Sequence, residues 1–172
     1  MELKYKITDE CKVFGEITLH RIEALKDFND VKKGDKGGYI EKENNLSQYG
    51  DAWVYGDAEV YGDAKVYGNA EVYGNAKVFG NAKLYGDAWV YGNAKVCGDA
   101  KVYGDADYIV FKNWWSSGRY FTWTRSNDKW RVGCFYGTGD ELIAKAYEDS
   151  ETSGKNYEKI VKYVESIKKM RL

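Results

Sequence analysis

The amino-acid sequence predicts a mainly β chain organised around a short solenoid of hexapeptide repeats. Three observations lead there. Residues 49–108 read as ten consecutive hexads without insertion: YGDAWV, YGDAEV, YGDAKV, YGNAEV, YGNAKV, FGNAKL, YGDAWV, YGNAKV, CGDAKV and YGDADY. A fixed short period of this kind marks a stack of like rungs. Within each of the first nine hexads Ala and Val or Leu stand two positions apart, the spacing that puts both on one face of a strand. Gly followed by Asp or Asn precedes each Ala, and these residue types tolerate the left-handed backbone region that a sharp corner needs. The 172 residues include no proline, so corners fall to Gly, Asn and Asp throughout.

The N-terminal segment, 1–45, reads as a hairpin and cap. Residues 3–7 (LKYKI) alternate, 8–10 (TDE) read as the turn, and 13–25 (VFGEITLHRIEAL) alternate again. GDKGG at 34–38 is a plain loop, since it lacks the strand–loop–helix setting of a phosphate loop. Tyr39 and Ile40 read as a strand entering the first coil. No apolar h-region opens the chain, and no run reaches the ~18 apolar residues of a spanning helix. Cys11, Cys97 and Cys134 are odd in number and far apart, which argues against a disulfide framework. The expected setting is cytoplasmic, away from membranes.

The repeat, 46–108, fixes which side chains face inward. In Ala-X-Val-Tyr, X is mostly Lys or Glu, as at Glu59, Lys65, Glu71, Lys77 and Lys83. Charges of this kind are not buried unpaired, so X and Tyr face out while Ala and Val fill the interior. A small residue followed two positions later by an aliphatic one resembles the hexapeptide-repeat superfamily, with its trimeric acyltransferases. That resemblance implies a left-handed β-helix in which three hexads make one triangular coil. Ten hexads then give about three and a third coils, roughly 16 Å tall at ~4.8 Å per layer. One face carries Trp53, Glu71, Trp89 and Asp107 beside Tyr55, Tyr73 and Tyr91. The second carries Glu59, Lys77 and Lys95 beside Tyr61, Phe79 and Cys97. The third carries Lys65, Lys83 and Lys101 beside Tyr67, Tyr85 and Tyr103. Three aromatic columns exceed the apolar patch a soluble monomer usually exposes, so the C-terminal segment or sister chains should cover them. The open ends also need caps, which the flanking segments supply.

Residues 21–54 sharpen the resemblance. Asp27, Phe28, Val31, Gly34, Gly37, Gly38, Asn45, Leu46, Ser47, Gly50 and Trp53 are similar to the lead-in of a group of hexapeptide-repeat proteins from bacterial and phage genomes. Some of these carry a transferase label, which rests on fold analogy and says little about function.

Residues 109–172 predict a small sheet backed by two helices. YIVFKNWW (108–115) is a strand, and RYFTWTR (119–125) pairs with KWRVGCFYGT (129–138) across SND. Thr138 and Glu141 form a capping-box pair before a helix over 139–150, with Leu142, Ile143, Ala146 and Tyr147 on one stripe. Ser153 is read as the start of a second helix carrying Tyr157, Ile160, Val161, Val164 and Ile167, with Lys168, Lys169 and Arg171 at its cation-favouring end. Trp114, Trp115, Trp123 and Trp130 read as core between sheet and helices in preference to a ligand pocket. A GCFxGT strand followed by two helices resembles the tail of many phage-type members.

The chemistry is sparse. The 26 basic and 27 acidic side chains nearly cancel, so bulk charge invites neither nucleic acid nor an anionic membrane. Acyltransferases of the superfamily employ a histidine on a coil, and its carbonic anhydrases bind zinc through three. This chain has one, His20, which precedes the repeat. His20 reads as structural, and as catalytic only if the protein is an acyltransferase. Cys134 reads as a packed small hydrophobe, and neither metal nor cofactor is expected. The candidate ligand-binding residues are Lys65, Lys83, Lys101, Tyr67, Tyr85 and Tyr103, read either as a solvated face or as a strip for an anion. The leading expectation is a non-enzymatic binding or scaffold protein, a homotrimeric β-helix presenting its C-terminal module. The alternatives are a phage-associated immune-evasion protein, holding an anionic nucleotide-like signal or blocking a host defence protein, and an acyltransferase.

Overall fold

A computed structural model describes residues 2–170. Strands β1 (Tyr5–Phe14) and β2 (Ile17–Ala24) form the N-terminal hairpin. Its turn lies at Gly15, whose φ of +60° suits glycine. Residues 8–10, expected as the turn, instead lie within β1, where a register shift between Ile7 and Cys11 absorbs the polar stretch as a bulge. Strand β3 (Lys36–Ile40) pairs antiparallel with β2 and opens the first coil, as the Tyr39-Ile40 reading anticipates.

Nine two-residue strands follow, one per hexad: β4 (Trp53–Val54), β5 (Glu59–Val60), β6 (Lys65–Val66), β7 (Glu71–Val72), β8 (Lys77–Val78), β9 (Lys83–Leu84), β10 (Trp89–Val90), β11 (Lys95–Val96) and β12 (Lys101–Val102). They stack in parallel register as three faces: β4-β7-β10, β3-β5-β8-β11 and β6-β9-β12. Leu46 bridges Val66 above the third face. With these extra rungs the β-solenoid has about four turns, more than the hexads alone supply. The tenth hexad adds no rung. Asp105–Asp107 form a 3-10 turn, so Asp107 leaves the first face, where alternation had put it, and binds the Tyr103 and Gly104 amides.

The interior is what alternation requires. Every Ala from Ala52 to Ala100 and every Val or Leu from Val54 to Val102 in the inward positions is buried. Corner glycines have positive φ and lie against one another: a Cβ on Gly68 would stand 3.1 Å from the Gly86 amide nitrogen. The outer rings are covered unevenly. Trp53 is buried, and the N-terminal segment covers it, with Phe28 and Tyr5 edge-on at 5.3 and 6.1 Å. Glu59 is buried beneath the hairpin and paired with Lys77 at 2.6 Å and Lys12 at 3.7 Å.

The C-terminal module is an antiparallel sheet of β13 (Tyr108–Lys112), β14 (Tyr120–Thr124), β15 (Lys129–Val132) and β16 (Phe135–Gly137), with α1 (Gly139–Asp149) and α2 (Glu151–Lys169). Gly133, at φ +58°, turns the expected single strand 129–138 into two. Thr138 caps α1 through the predicted box with Glu141. Helix α2 starts earlier than Ser153: Ser150 is its cap, and the Ser153 amide donates to the Ser150 hydroxyl. Phe121, Trp123, Trp130, Leu142, Ala146, Tyr157, Val161 and Val164 form the module's core, with Trp115 against it. Trp114 is instead 76% exposed, and Cys134 is exposed where packing was expected. Lys168 pairs with Asp128 and Glu165, each at 2.7 Å, while Arg171 lies outside the described residues.

The solenoid's ladder is directional. Amides of one coil donate to carbonyls of the next, as from Trp53 to Ala70 (3.1 Å) and Glu71 to Ala88 (2.8 Å). The N-terminal edge therefore presents carbonyls and the C-terminal edge amides, and each must be satisfied. At the first edge the buried Lys4 ammonium donates to Gly50 O (3.2 Å) and Ala52 O (2.7 Å). The Asn45 side-chain amide donates to Gly62 O (3.0 Å) and Ala64 O (2.9 Å), and the Arg21 guanidinium to Gly56 O (3.2 Å). At the other edge the acceptors are side-chain oxygens: Thr122 Oγ1 for the Lys95 amide (2.9 Å), Ser126 Oγ for Lys101 (2.6 Å) and Asp107 Oδ2 for Tyr103 (2.8 Å).

Candidate functional site

The third face gathers all six residues singled out as a strip. Lys65 and Lys101 flank Lys83 on adjacent rungs of β6, β9 and β12. All three lysines are exposed, and among the described residues none forms an ion pair. The rings beside them stack: Tyr67 and Tyr85 lie 5.3 Å apart and within 5° of parallel, and Tyr103 meets Tyr85 edge-on. Neither appendage covers this face. The hairpin lies against the second face, while Tyr67 and Tyr103 remain 37% and 57% exposed.

The first face is the strip's chemical opposite. Below the covered Trp53, Glu71, Asp87 and Asp105 line an open groove of about 470 Å³ with Trp89 and Asn69. Burial, then the Asp30 charge, raises the Glu71 carboxyl above the ordinary carboxylate range. Trp89 and Tyr91 are about half exposed. Sequence reasoning wrote out this face but did not single out its acids. The available signal was the corner column Asn69, Asp87, Asp105, carboxylates beside a face that carries Trp and Glu in place of Lys.

No protein-family profile matches the chain. Over 59 residues, 30% of this chain, it is 36% identical to the uncharacterized acetyltransferase YdcK of Escherichia coli strain K12. The match spans 18% of that protein's length. Similarity and architecture together are consistent with the left-handed β-helix superfamily of hexapeptide-repeat proteins.

His20, the residue an acyltransferase would recruit, lies in β2 opposite Cys11 and Ile40, one strand above the solenoid's first rung. Its Nδ1 is buried, with no hydrogen-bond partner among the described residues. It is not part of the Lys–Tyr strip. Among the described residues no three His, Cys, Asp or Glu side chains come together as a metal site, and no helix is long and apolar enough to cross a membrane.

Proposed function

We propose that this protein is a non-enzymatic scaffold: a rigid β-solenoid that self-associates as a cyclic homotrimer and presents its C-terminal sheet-and-helix module for interaction. One observation carries the reading, the complementarity of the uncovered third face and the open groove on the adjacent first face. Lys65, Lys83 and Lys101 stand on one, and Glu71 with the corner carboxylates Asp87 and Asp105 lines the groove of the other, each set beside exposed rings. Contact between unlike faces of successive copies is heterologous, and rotation about a threefold axis closes it into a ring. Such packing covers the aromatic rings and gives the lysines carboxylate partners.

Light scattering tests this. The expected mass is three times the 19.7 kDa of one chain. Lys83→Glu should dissociate the assembly, and adding Glu71→Lys should restore it. A monomeric wild type overturns the reading. A competing occupant of the strip is an anionic nucleotide-like ligand held between Tyr67, Tyr85, Tyr103 and the lysines, as in an immune-evasion role. Native mass spectrometry would then show a bound ligand lost in Lys83→Glu, and the second charge reversal would restore nothing. An acyltransferase reading is favoured only by the name of the YdcK relative. Acetyl-CoA turnover abolished by His20→Ala would support it, and absence of turnover would remove it.

A further inference from the structure

Along the second face and its corner with the first, where the solenoid meets the C-terminal module, lies a second cluster of cations. A cleft of about 250 Å³ is lined by Lys77 and Lys95 from β8 and β11, Arg119 and Tyr120 from the start of β14, and the corner residues Asn75 and Asn93. Arg131 of β15 adds a further charge, its guanidinium over the Phe79 ring at 5.3 Å. Lys77 pairs with Glu59, but among the described residues Lys95, Arg119 and Arg131 have no carboxylate partner.

Three features separate this cluster from an ordinary solvated face. First, it is assembled from distant parts of the chain and partly sheltered: Lys77, Lys95 and Arg131 are all half-buried. Burial, and to a lesser degree the like charges of Arg131, Lys77 and Arg119, lower the Lys95 ammonium below its usual range. Second, beside the cleft, the buried Arg131 Nε has no acceptor among the described residues. Third, the corner column changes chemistry as it enters the cleft. Asp57, at the top, is paired with Lys12, whereas Asn75 and Asn93 below it are neutral amides. Carboxylates at those two corners would cancel the field, and amides add donors to it.

We propose that this cleft is a binding site for the phosphoryl group of a small phosphorylated molecule. Lys95 and Arg119 supply charge-assisted hydrogen bonds, Asn75 and Asn93 supply neutral donors, and Tyr120 forms one wall. Arginine and lysine together suit phosphate oxygens, and a sheltered cationic cleft concentrates field on a multiply charged anion. The site requires no particular oligomeric state, so its test is independent of the trimer.

The test is calorimetric titration of the full chain with pyrophosphate, using sulfate at equal ionic strength as the comparison. The expected result is saturable binding at one site per chain, about 10-fold or more tighter than sulfate. Arg119→Ala and Lys95→Gln should each weaken it about 10-fold, and Lys155→Gln, an exposed position on α2 outside the cleft, should leave it unchanged. Amide NMR shifts on the wild-type protein should concentrate at Asn75, Asn93 and Gly133, which locates the site even if a variant misfolds. Absence of saturable binding, equal affinity for sulfate, or shifts centred on Lys65, Lys83 and Lys101 would overturn the proposal.

Discussion

At the N-terminal end of the solenoid the first coil presents carbonyl oxygens, and the chain meets them with an ammonium, a side-chain amide and a guanidinium, on Lys4, Asn45 and Arg21. At the C-terminal end the last coil presents amides, met by two hydroxyls and a carboxylate on Thr122, Ser126 and Asp107. The difference teaches that a parallel solenoid has a chemical polarity. Its ladder runs one way, so each cap must carry the opposite hydrogen-bonding character, and neither could replace the other. Depth varies within each cap: Lys4, Asn45 and Thr122 are buried, Arg21 and Asp107 half-buried and Ser126 exposed. Loss of a cap should therefore be costlier at a buried cap residue, and costliest where one side chain serves several backbone groups, as Asn45 does.

The largest effect is expected at Asn45. Asn45→Leu leaves the Gly62 and Ala64 carbonyls and the Lys42 amide without their partner, with no buried charge removed to offset the loss. Chemical denaturation should show a loss of about 3 kcal/mol. A loss below that of the C-terminal variants would break the comparison.

Lys4→Met should cost less, about 1–2 kcal/mol near neutral pH, because removing a buried ammonium offsets part of the damage to the Gly50 and Ala52 carbonyls. Burial is the main cause that pushes this ammonium down to about 8 from its ordinary 10.5, and the nearby Asp51 charge opposes the shift. Between those two values the unfolded chain binds the proton that the folded chain has released. The Lys4 contribution therefore makes stability rise with pH from about 8 upward, and below 8 the cost of burying the charge is fully present. Wild type should show this rise relative to Lys4→Met in paired unfolding curves across that window, and parallel curves would remove the buried-ammonium account.

At the opposite end Thr122→Val, nearly isosteric, should cost about 1 kcal/mol, and Ser126→Ala about 0.5 kcal/mol or less because water can replace the exposed hydroxyl. Thermal melts of the two variants rank them, and a larger loss for Ser126→Ala would contradict the depth argument.

Much of the fold was legible because six-residue periodicity and side-chain alternation are local. Ala52, Val54 and their successors had to face inward once Lys65 and Glu71 could not. Alternation says which way a side chain points but not what lies over it. Trp53 and Glu59 point out of the solenoid and are nevertheless buried, because the hairpin and the 25–40 segment fold back on them. The hairpin turn was misplaced for a related reason: 8–10 have turn-forming types, but Gly15 supplies the positive φ, and a bulge accommodates the rest. That Lys65, Lys83 and Lys101 share one face was legible because they repeat at a fixed spacing. The cleft of Lys95, Arg119 and Tyr120 was not, since its members come from separate elements and meet only when β14 docks beneath β11. The caps escaped notice on the same ground. Lys4, Asn45 and Thr122 are ordinary residue types until the coil edge gives them something to bind.

The polarity of the two ends is tested most directly by native-state hydrogen exchange at the last coil, where the capped groups are amides and report for themselves. The Lys95 and Lys101 amides should exchange slowly in the wild-type protein. Thr122→Val should speed exchange at Lys95 while leaving Lys101 protected, and Ser126→Ala should do the reverse. Equal exchange at Lys95 in wild type and Thr122→Val would contradict a cap made by side-chain oxygen.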